Sequence, residues 1–256
     1  VGKITLVDFD LVCITNVNRQ FHALPETVGQ PKSDLMAKRV LAVNPNAKVE
    51  SIQKFYEAKT ASEILARNPD VIIDAVDNIK AKLHLLATCI CNSIAVITCL
   101  GASAKIDPTM VKVTELRKTK KDPFAKDIRK NLWRVYNINL ARVSQLYAVY
   151  SEEPPILPHP DYKSSLCGQN CFCPNKENQH HTCAKRRIIY GSAVFVTSVF
   201  GMTAASLAVR YICGDSKVNL RPILKVLPGD EPIVNPQNCP NNTDLDNMLS
   251  SVESEF

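Results

Sequence analysis

Two carboxylates follow the first apolar segment of the chain. Ile4, Leu6 and Val7 suit a strand buried in a parallel sheet, which places Asp8 and Asp10 at its carboxyl end. Open α/β sheets bind ligands at this edge, and an acidic side chain there can accept hydrogen bonds from the ribose hydroxyls of a nucleotide. The pattern therefore predicts a nucleotide site that begins at Asp8.

A polar segment after this strand adds amides and cations. It contains Asn16, Arg19 and Gln20, and Lys32 falls in the first turn of a helix that Pro31 can start. Arginine and lysine supply the charge that a triphosphate requires. Lys32 taken alone is more typical of a solvated surface lysine, so the prediction of a triphosphate site depends on the whole segment.

A second apolar strand ends in the same way. The segment 71–74 is followed by Asp77 and Asn78, which lie where the next helix begins. Asp77 can cap that helix by satisfying backbone N–H groups, or it can face the nucleotide and hold Mg²⁺ together with phosphate oxygens. In the second interpretation, four side chains converge on one pocket for a nucleoside triphosphate: Asp8, Arg19, Lys32 and Asp77.

Strands and helices alternate along the first half of the chain. This order predicts an α/β fold with a twisted, mainly parallel, doubly wound sheet and helices on both faces. Helical spacing predicts helices after Pro31, over 61–66 and up to Ile90. Apolar runs predict strands at 49–52, 71–74, 94–98, 110–113 and 223–226, and we expect those at 94–98 and 110–113 to join the parallel sheet.

The composition excludes a mostly disordered chain, because 45% of the 256 residues are apolar. The formal net charge of +6 is compatible with a polyanionic partner and equally with an ordinary soluble surface. Ten cysteines spread over a chain of this length indicate a reducing compartment, and no secretory leader is recognised.

The segment 117–134 is strongly basic, and Phe124, Ile128 and Leu132 recur in it every four residues. This spacing predicts an amphipathic helix with a cationic face. The face can be merely solvated, or it can bind the phosphate backbone of a tRNA or another nucleic acid. We expect Trp133 to fill a gap in the core rather than to stack on a ligand.

The segment 167–183 is rich in cysteine, whose thiolate is a soft metal ligand. The candidate zinc ligands there are Cys167, Cys171, Cys173 and Cys183. Their spacing departs from the paired C-x-x-C knuckles that are typical of structural zinc sites. A loop of free thiols is therefore the favoured interpretation, and structural zinc is the alternative.

The segment 188–209 carries no charge and is long enough to cross a bilayer. Its small and hydroxyl-bearing residues favour a helix packed inside the protein or a dimer over a membrane span. The predicted organisation is a core domain over 1–150, a proline- and cysteine-rich insertion over 151–187, the C-terminal helix of the same domain over 188–213, and a poorly ordered tail over 214–256.

Taken together, these motifs make the chain resemble the ThiF/MoeB family of adenylating enzymes, which is related to the ubiquitin activators. The matching segments are 6–10, 16–20, 28–32, 44–45 and 74–78. The chain is most similar to the tRNA threonylcarbamoyladenosine dehydratase branch of that family, because of two further segments, 22–24 and 106–123. The resemblance implies that residues 1–150 form a Rossmann-like adenylating domain.

The resemblance also implies a role for each candidate residue. Asp8 would bind the ribose of ATP, and Asp77 would hold Mg²⁺ or face the phosphates. Three residues would grip the triphosphate, namely Asn16, Arg19 and Lys32. The implied catalytic residues are Arg19, Lys32 and Asp77. The implied ATP-binding residues are Asp8, Asp10, Asn16, Arg19, Gln20, Lys32, Asp77 and Asn78.

The implied reaction is an ATP-dependent dehydration of threonylcarbamoyladenosine in tRNA. The threonyl carboxylate becomes an acyl adenylate, and attack within the same nucleoside then closes a ring with net loss of water. The same site would alternatively activate the C-terminus of a ubiquitin-like or sulfur-carrier protein, and a third reading is an inactive tRNA-binding relative. The basic segment 117–134 favours tRNA, and the lack of two well-spaced C-x-x-C pairs counts against the sulfur-carrier activators.

Further expectations concern the ends and the partners of the chain. The family's glycine-rich turn precedes the strand that opens this chain, and no G-x-G-x-x-G is present, so the resemblance predicts an N-terminally truncated chain that binds ATP poorly as given. Family members work as dimers, which predicts a homodimer with tRNA, or a ubiquitin-like or sulfur-transfer protein, as its partner. The expected location is the cytoplasm, or the mitochondrial outer membrane surface for a membrane-associated eukaryotic member.

Overall fold

The computed structural model describes residues 2–157 and 190–225 of the chain. The chain divides into two compact units. The first comprises Val1–Tyr56, Ser103–Pro108 and Pro155–Ser198, and the second comprises Glu57–Ala102, Thr109–Pro154 and Val199–Phe256.

The first unit is built on one βαβ element. Strand β1 (Lys3–Val7) pairs in parallel with β2 (Lys48–Ile52), and helix α1 (Lys32–Val43) connects them. Pro31 precedes the helix, where its missing N–H costs nothing, and the helix stops before Pro45. Two 3₁₀ turns, Ile14–Asn16 and Pro25–Thr27, shape the long connection from β1 to α1.

The second unit contains a mixed four-stranded sheet. Its strands are β3 (Ile72–Asp74), β4 (Val96–Cys99), β5 (Val111–Glu115) and β7 (Tyr147–Ser151), in the spatial order β3-β4-β7-β5. The pairs β3–β4 and β4–β7 are parallel, whereas β5 is antiparallel to β7. A small second sheet pairs β6 (Val143–Ser144) with β8 (Ile223–Leu224).

Three helices belong to the second unit: α2 (Ala58–Leu65), α3 (Ile79–Cys91) and α4 (Pro123–Tyr136). Helix α3 packs against α4, and Leu83 and Leu86 of α3 and Leu132 of α4 are fully buried. Strand β4 is also apolar and buried, and its residues Val96 and Ile97 have no solvent-exposed surface. Burial on both faces is what the continuous apolar runs of the sequence predict for inner parallel strands.

The prediction that 110–113 joins the parallel sheet is wrong, because β5 runs antiparallel to its neighbour β7. Parallel strands need a long crossover, usually a helix, but the connection over 100–110 contains only the 3₁₀ helix Pro108–Met110. Strands β6 and β7 were not predicted from the sequence. The other strands and helices of the described residues lie where the apolar patterns place them, with ends shifted by a few residues.

Helix α5 (Val194–Ile212) occupies the predicted uncharged segment. Val196, Phe200, Ala204 and Ala208 are buried and recur every four residues, so they form one stripe. The opposite surface is apolar but exposed, and Met202 is 74% accessible. By length and composition α5 could cross a membrane, which keeps both interpretations of this segment open.

Candidate functional site

The first carboxylates lie where the sequence predicts them. Asp8 directly follows β1, and its Oδ1 accepts a hydrogen bond of 2.8 Å from the backbone N–H of Asp10. This bond makes a tight turn at the carboxyl end of the strand. The turn directs the chain toward α1, because the backbone N–H of Lys32 donates to the carbonyl oxygen of Asp10 at 3.0 Å.

Lys32 is a buried cation rather than a solvated surface lysine. Its Nζ lies 2.7 Å from Oδ2 of Asp10, and the residue is only 7% exposed. A buried lysine needs a charged partner, and Asp10 supplies it. The pair therefore holds an ammonium group in a fixed orientation at the first turn of α1, where helix N–H groups also attract anions.

His22 lies within electrostatic reach of this pair. Partial burial, and secondly the positive charge of Lys32, lower the pKa of the His22 imidazole. The ring therefore stays neutral at pH 7 and adds no second positive charge beside Lys32. His22 was not among the predicted site residues, although it lies in the matching segment 22–24, because a single histidine in a loop carries no spacing signal.

Three buried polar atoms of this region have no hydrogen-bond partner among the described residues: Gln20 Oε1, His22 Nε2 and Ser33 Oγ. Buried polar atoms are normally paired, so unpaired ones mark a place where a polar ligand or water completes the bonding. Gln20 is one of the predicted ligand-binding residues. Ser33 was missed, although its position beside Lys32 in the first turn of α1 is typical of a phosphate-binding hydroxyl.

Asn16 and Arg19 belong to the same loop. Asn16 is 7% exposed, and its Oδ1 accepts the backbone N–H of Cys13 at 2.9 Å, so this side chain shapes the loop. Arg19 is half-buried, and its Nη1 donates to the carbonyl oxygen of Thr15 at 2.8 Å and to Oδ1 of Asn18 at 3.0 Å. These two acceptors orient the guanidinium.

Asp77 and Asn78 lie in the second unit, at the start of α3. The interpretation of Asp77 as the helix cap is wrong, because Asn78 is the N-cap and its Oδ1 accepts the N–H of Ala81 at 3.0 Å. Asp77 is exposed in the turn between β3 and this cap. Its predicted convergence with Asp8, Arg19 and Lys32 stays a prediction, as does ligand binding by each residue of the set.

A fully buried polar cluster lies immediately beside this turn. Nζ of Lys82 is 2.6 Å from Oδ2 of Asp74, and both side chains have no solvent exposure. Thr98 Oγ1 donates to the same Asp74 oxygen at 2.7 Å and accepts from Lys82 at 3.1 Å. The remaining oxygen, Asp74 Oδ1, accepts the N–H of Val76 at 3.0 Å. The cluster therefore ties the end of β3 to the first turn of α3.

The family model for the ThiF family matches residues 1–242, which is nearly the whole chain. The chain belongs to the ThiF family. It is 36% identical over 211 residues to the tRNA threonylcarbamoyladenosine dehydratase of Haemophilus influenzae, covering 82% of this chain and 76% of that protein. The Bacillus subtilis protein of the same name is 35% identical over 218 residues, covering 85% and 80%.

The ThiF-family fold also matches solved structures. The Escherichia coli tRNA N6-threonylcarbamoyladenosine dehydratase TcdA in complex with ATP superposes with a TM-score of 0.67 at 30% identity, covering 85% of this chain and 78% of that one. This match confirms the predicted Rossmann-like α/β fold. It also confirms the resemblance that motifs such as 6–10 and 28–32 predict.

No group of three or more histidine, cysteine, aspartate or glutamate side chains with metal-ligand geometry occurs within residues 2–157 and 190–225 of this ThiF-family chain. The candidate zinc ligands Cys167, Cys171, Cys173 and Cys183 lie outside those ranges, as do most of the insertion over 151–187 and of the tail over 214–256. The zinc and domain-boundary predictions therefore stay predictions.

The thiol of Cys99, at the end of β4, is held neutral by its surroundings. Burial, partly offset by the charge of Lys82 and reinforced by that of Asp74, raises the pKa of Cys99 to about 11. Burial and the Asp74 charge also raise the pKa of Cys89. Because thiolate is the reactive form, neither thiol should act as a nucleophile near neutral pH.

We expect Cys99 to react with iodoacetamide at pH 8 about a hundredfold more slowly than a thiol of ordinary pKa, because its thiolate fraction is that much smaller. Exposed Cys213 is the internal reference. Peptide mass spectrometry over a time course measures both rates, and the Cys99 rate should rise as the pH approaches 11. Equal rates for Cys99 and Cys213 at pH 8 would contradict the assignment.

The predicted basic helix is confirmed as α4, but its start is Pro123. Asp122 caps it, with Oδ1 accepting the N–H of Ala125 at 2.9 Å. Ile128, Leu132 and Tyr136 form the buried face. The expectation that Trp133 fills the core is wrong, since this residue is 54% exposed. It lies one position beyond the buried Leu132, which turns its ring to the outer surface of the helix.

Proposed function

We propose that this chain is an ATP-dependent tRNA threonylcarbamoyladenosine dehydratase. The observation that carries the proposal is the pairing of buried Lys32 with Asp10 at the first turn of α1, in a region where Gln20 Oε1 and Ser33 Oγ are buried without a hydrogen-bond partner among the described residues. This arrangement suits a polyphosphate, and it occurs in a chain whose relatives of that name align over more than four fifths of its length.

The residues of the first unit would bind ATP in a defined way. Asp8, at the carboxyl end of β1, would accept hydrogen bonds from the ribose hydroxyls. Lys32, held in place by Asp10, and Arg19 would contact phosphate oxygens, and Asn16 and Gln20 would add amide contacts. Because these side chains are positioned before a ligand arrives, they stabilise charge that develops at the α-phosphate without a large reorganisation.

ATP supplies the activating group. In the proposed reaction the threonyl carboxylate attacks the α-phosphorus, the bond to the β-phosphate oxygen breaks, and pyrophosphate leaves. Attack within the same nucleoside then expels AMP, which carries away one former carboxylate oxygen, and the nucleoside has lost one water. Holding both reacting groups in one nucleoside makes the second step unimolecular, which favours ring closure over hydrolysis.

Mg²⁺ is the metal that this chemistry implies. Asp77 would hold it together with phosphate oxygens, because a carboxylate outside the helix-capping bond remains suitable for a hard cation. Asn78 would then act through the cap of α3 and fix the position of the turn that carries Asp77.

The test uses the full-length protein with ATP and tRNA that carries threonylcarbamoyladenosine. We expect tRNA-dependent pyrophosphate release and, in nucleoside mass spectrometry, loss of one water from the modified nucleoside. Parallel reactions contain unmodified tRNA or a ubiquitin-like protein with a free C-terminus. Pyrophosphate release that depends only on the protein partner would replace the proposed function by protein activation.

We also propose that the chain forms a homodimer and that the exposed face of α5 is the dimer interface. Phe195 and Met202 support this proposal, because they are 46% and 74% exposed on a part of the helix that carries no charge before Arg210 in its last turn. Met202→Glu should weaken the dimer roughly tenfold or more, because a charge would be buried at the contact. Light scattering after size-exclusion chromatography measures the molar mass as a function of protein concentration, and so the strength of the dimer. An unchanged mass, or a wild-type protein that is monomeric and pellets with neutral lipid vesicles, would contradict the dimer.

A further inference from the structure

A concave surface lies beside α4 in the second unit. Its volume is about 520 Å³, and its walls are Arg117, Arg129 and Trp133 together with the chain 138–141. The concavity exists because Asn137 adopts a left-handed conformation, with φ of 54°, at the end of the helix. The chain then folds back, and the N–H of Ile138 donates to the carbonyl oxygen of Leu132 at 3.0 Å.

Trp133 is the one tryptophan of the chain, and it presents about half of its surface to solvent at this concavity. An exposed indole leaves apolar area in water, which is unfavourable unless something covers it. Arg129 and Lys130 are neighbours of Trp133 on the helix surface, at the i−4 and i−3 positions. The indole therefore lies beside cationic side chains, in a wall whose other side is formed mainly by the apolar residues Ile138, Leu140 and Ala141.

No carboxylate of the described residues neutralises the guanidinium of Arg129 in this wall. Arg129 Nη1 donates to the hydroxyl of Thr119 and, at 3.2 Å, to its carbonyl oxygen, both of which are neutral. Arg117 and Lys118 share one carboxylate, Glu115, at 2.8 Å each, so this trio keeps one positive charge. Residues 115–134 hold eight Lys and Arg against three Asp and Glu, which gives most of the chain's net charge of +6.

We infer that this concavity binds an unpaired nucleotide of the tRNA, with its base stacked on Trp133 and its phosphate on Arg129. The inference rests on the proposed tRNA substrate. An aromatic face beside an arginine is the arrangement that single-stranded nucleic acid requires, because an unstacked base supplies a planar ring and a phosphate within one nucleotide. A base in a duplex is covered by its neighbours and offers no face to the indole.

Intrinsic fluorescence tests the site directly, since Trp133 is the one tryptophan of these 256 residues. Titration of this chain with a single-stranded RNA decamer of mixed sequence should quench the emission in a saturable way. A duplex RNA of the same length and a polyglutamate peptide should quench little. Equal quenching by the duplex would indicate binding by electrostatic attraction alone, and equal quenching by polyglutamate would indicate a site for an acidic protein. Either result would overturn the inference.

Variants separate stacking from charge, with anisotropy of a labelled decamer as the readout. Trp133→Leu should weaken binding by roughly five- to 150-fold, whereas Trp133→Phe, which keeps a stacking face, should retain most of it. Arg129→Gln should weaken binding and reduce the slope of log affinity against log salt by about one, and the matched control is Arg39→Gln in the first unit. Unchanged binding by Trp133→Leu would contradict the site.

The dehydration assay keeps this inference distinct from the proposed function. Trp133→Leu should raise the KM for modified tRNA while kcat stays near that of the wild type, because the indole contributes to RNA binding and takes no part in the bond changes. If Trp133→Leu dehydrates modified tRNA with an unchanged KM, the nucleotide site is contradicted and the proposed function is not. If the decamer quenches the fluorescence of the wild-type protein but no dehydration occurs, the proposed function is contradicted and the RNA-binding site is supported.

Discussion

Arg19→Ala is expected to lower pyrophosphate release roughly 10²- to 10³-fold, while the free energy of unfolding changes by about 0.5 kcal/mol or less. The large kinetic effect follows from removing a positioned cation that faces charge developing in the transition state. The small stability effect follows from the half-buried position of Arg19 and from the local nature of its contacts with the Thr15 carbonyl and the Asn18 amide. Single-turnover adenylation and urea unfolding measure the two quantities.

Arg39→Ala is the matched control, because Arg39 is an exposed arginine of the same unit and lies 4.6 Å from the ring of Phe21. It should leave adenylation nearly unchanged. Lys32 is a poorer choice for this experiment, since removing it would also leave Asp10 without its 2.7 Å partner and so mix stability with chemistry. Wild-type turnover in Arg19→Ala would refute the assignment of this residue.

Local apolar patterns were sufficient to predict which strand ends carry the carboxylates. Asp8 and Asp74 each close an apolar run, and the structure places Asp8 directly after β1 and Asp74 at the last position of β3. The apolar runs located both strands, although these strands are less buried than the pattern predicts, since Val7 of β1 is 37% exposed and Ile73 of β3 is 45% exposed. Pro31 similarly located the start of α1, since proline is favoured at a helix start.

The properties that could not be predicted depend on contacts distant in sequence. The neighbouring sequence does not distinguish Lys82 from Lys80. Lys82 is nevertheless the lysine that donates hydrogen bonds to Asp74 of β3 and Thr98 of β4. Likewise, the exposure of Trp133 depends on which face of α4 packs against α3. The antiparallel direction of β5 depends on a pairing with β7, a strand that begins only after α4.

Lys82→Met is expected to destabilise the protein by about 3–5 kcal/mol, the largest stability effect that we predict. The substitution nearly preserves side-chain volume but removes the cation that pairs with Asp74, whose side chain has no solvent exposure. The carboxylate would keep the Thr98 hydroxyl and the Val76 N–H, which cannot balance a full negative charge. Urea unfolding monitored by far-UV circular dichroism measures the loss, and Lys59→Met, at an exposed position of α2, is the control.

The double variant Lys82→Met/Asp74→Asn separates the cost of an unpaired charge from the value of the pair itself. An amide keeps the bond from Val76 without a charge, so the double variant should be more stable than Lys82→Met alone. The outcome also bears on chemistry, because the cluster anchors both ends of the turn that carries Asp77. If the double variant refolds to near wild-type stability but adenylates slowly, the ion pair serves to hold that turn rather than to stabilise the fold. If it is no more stable than Lys82→Met, the buried charge was not the cause of the loss.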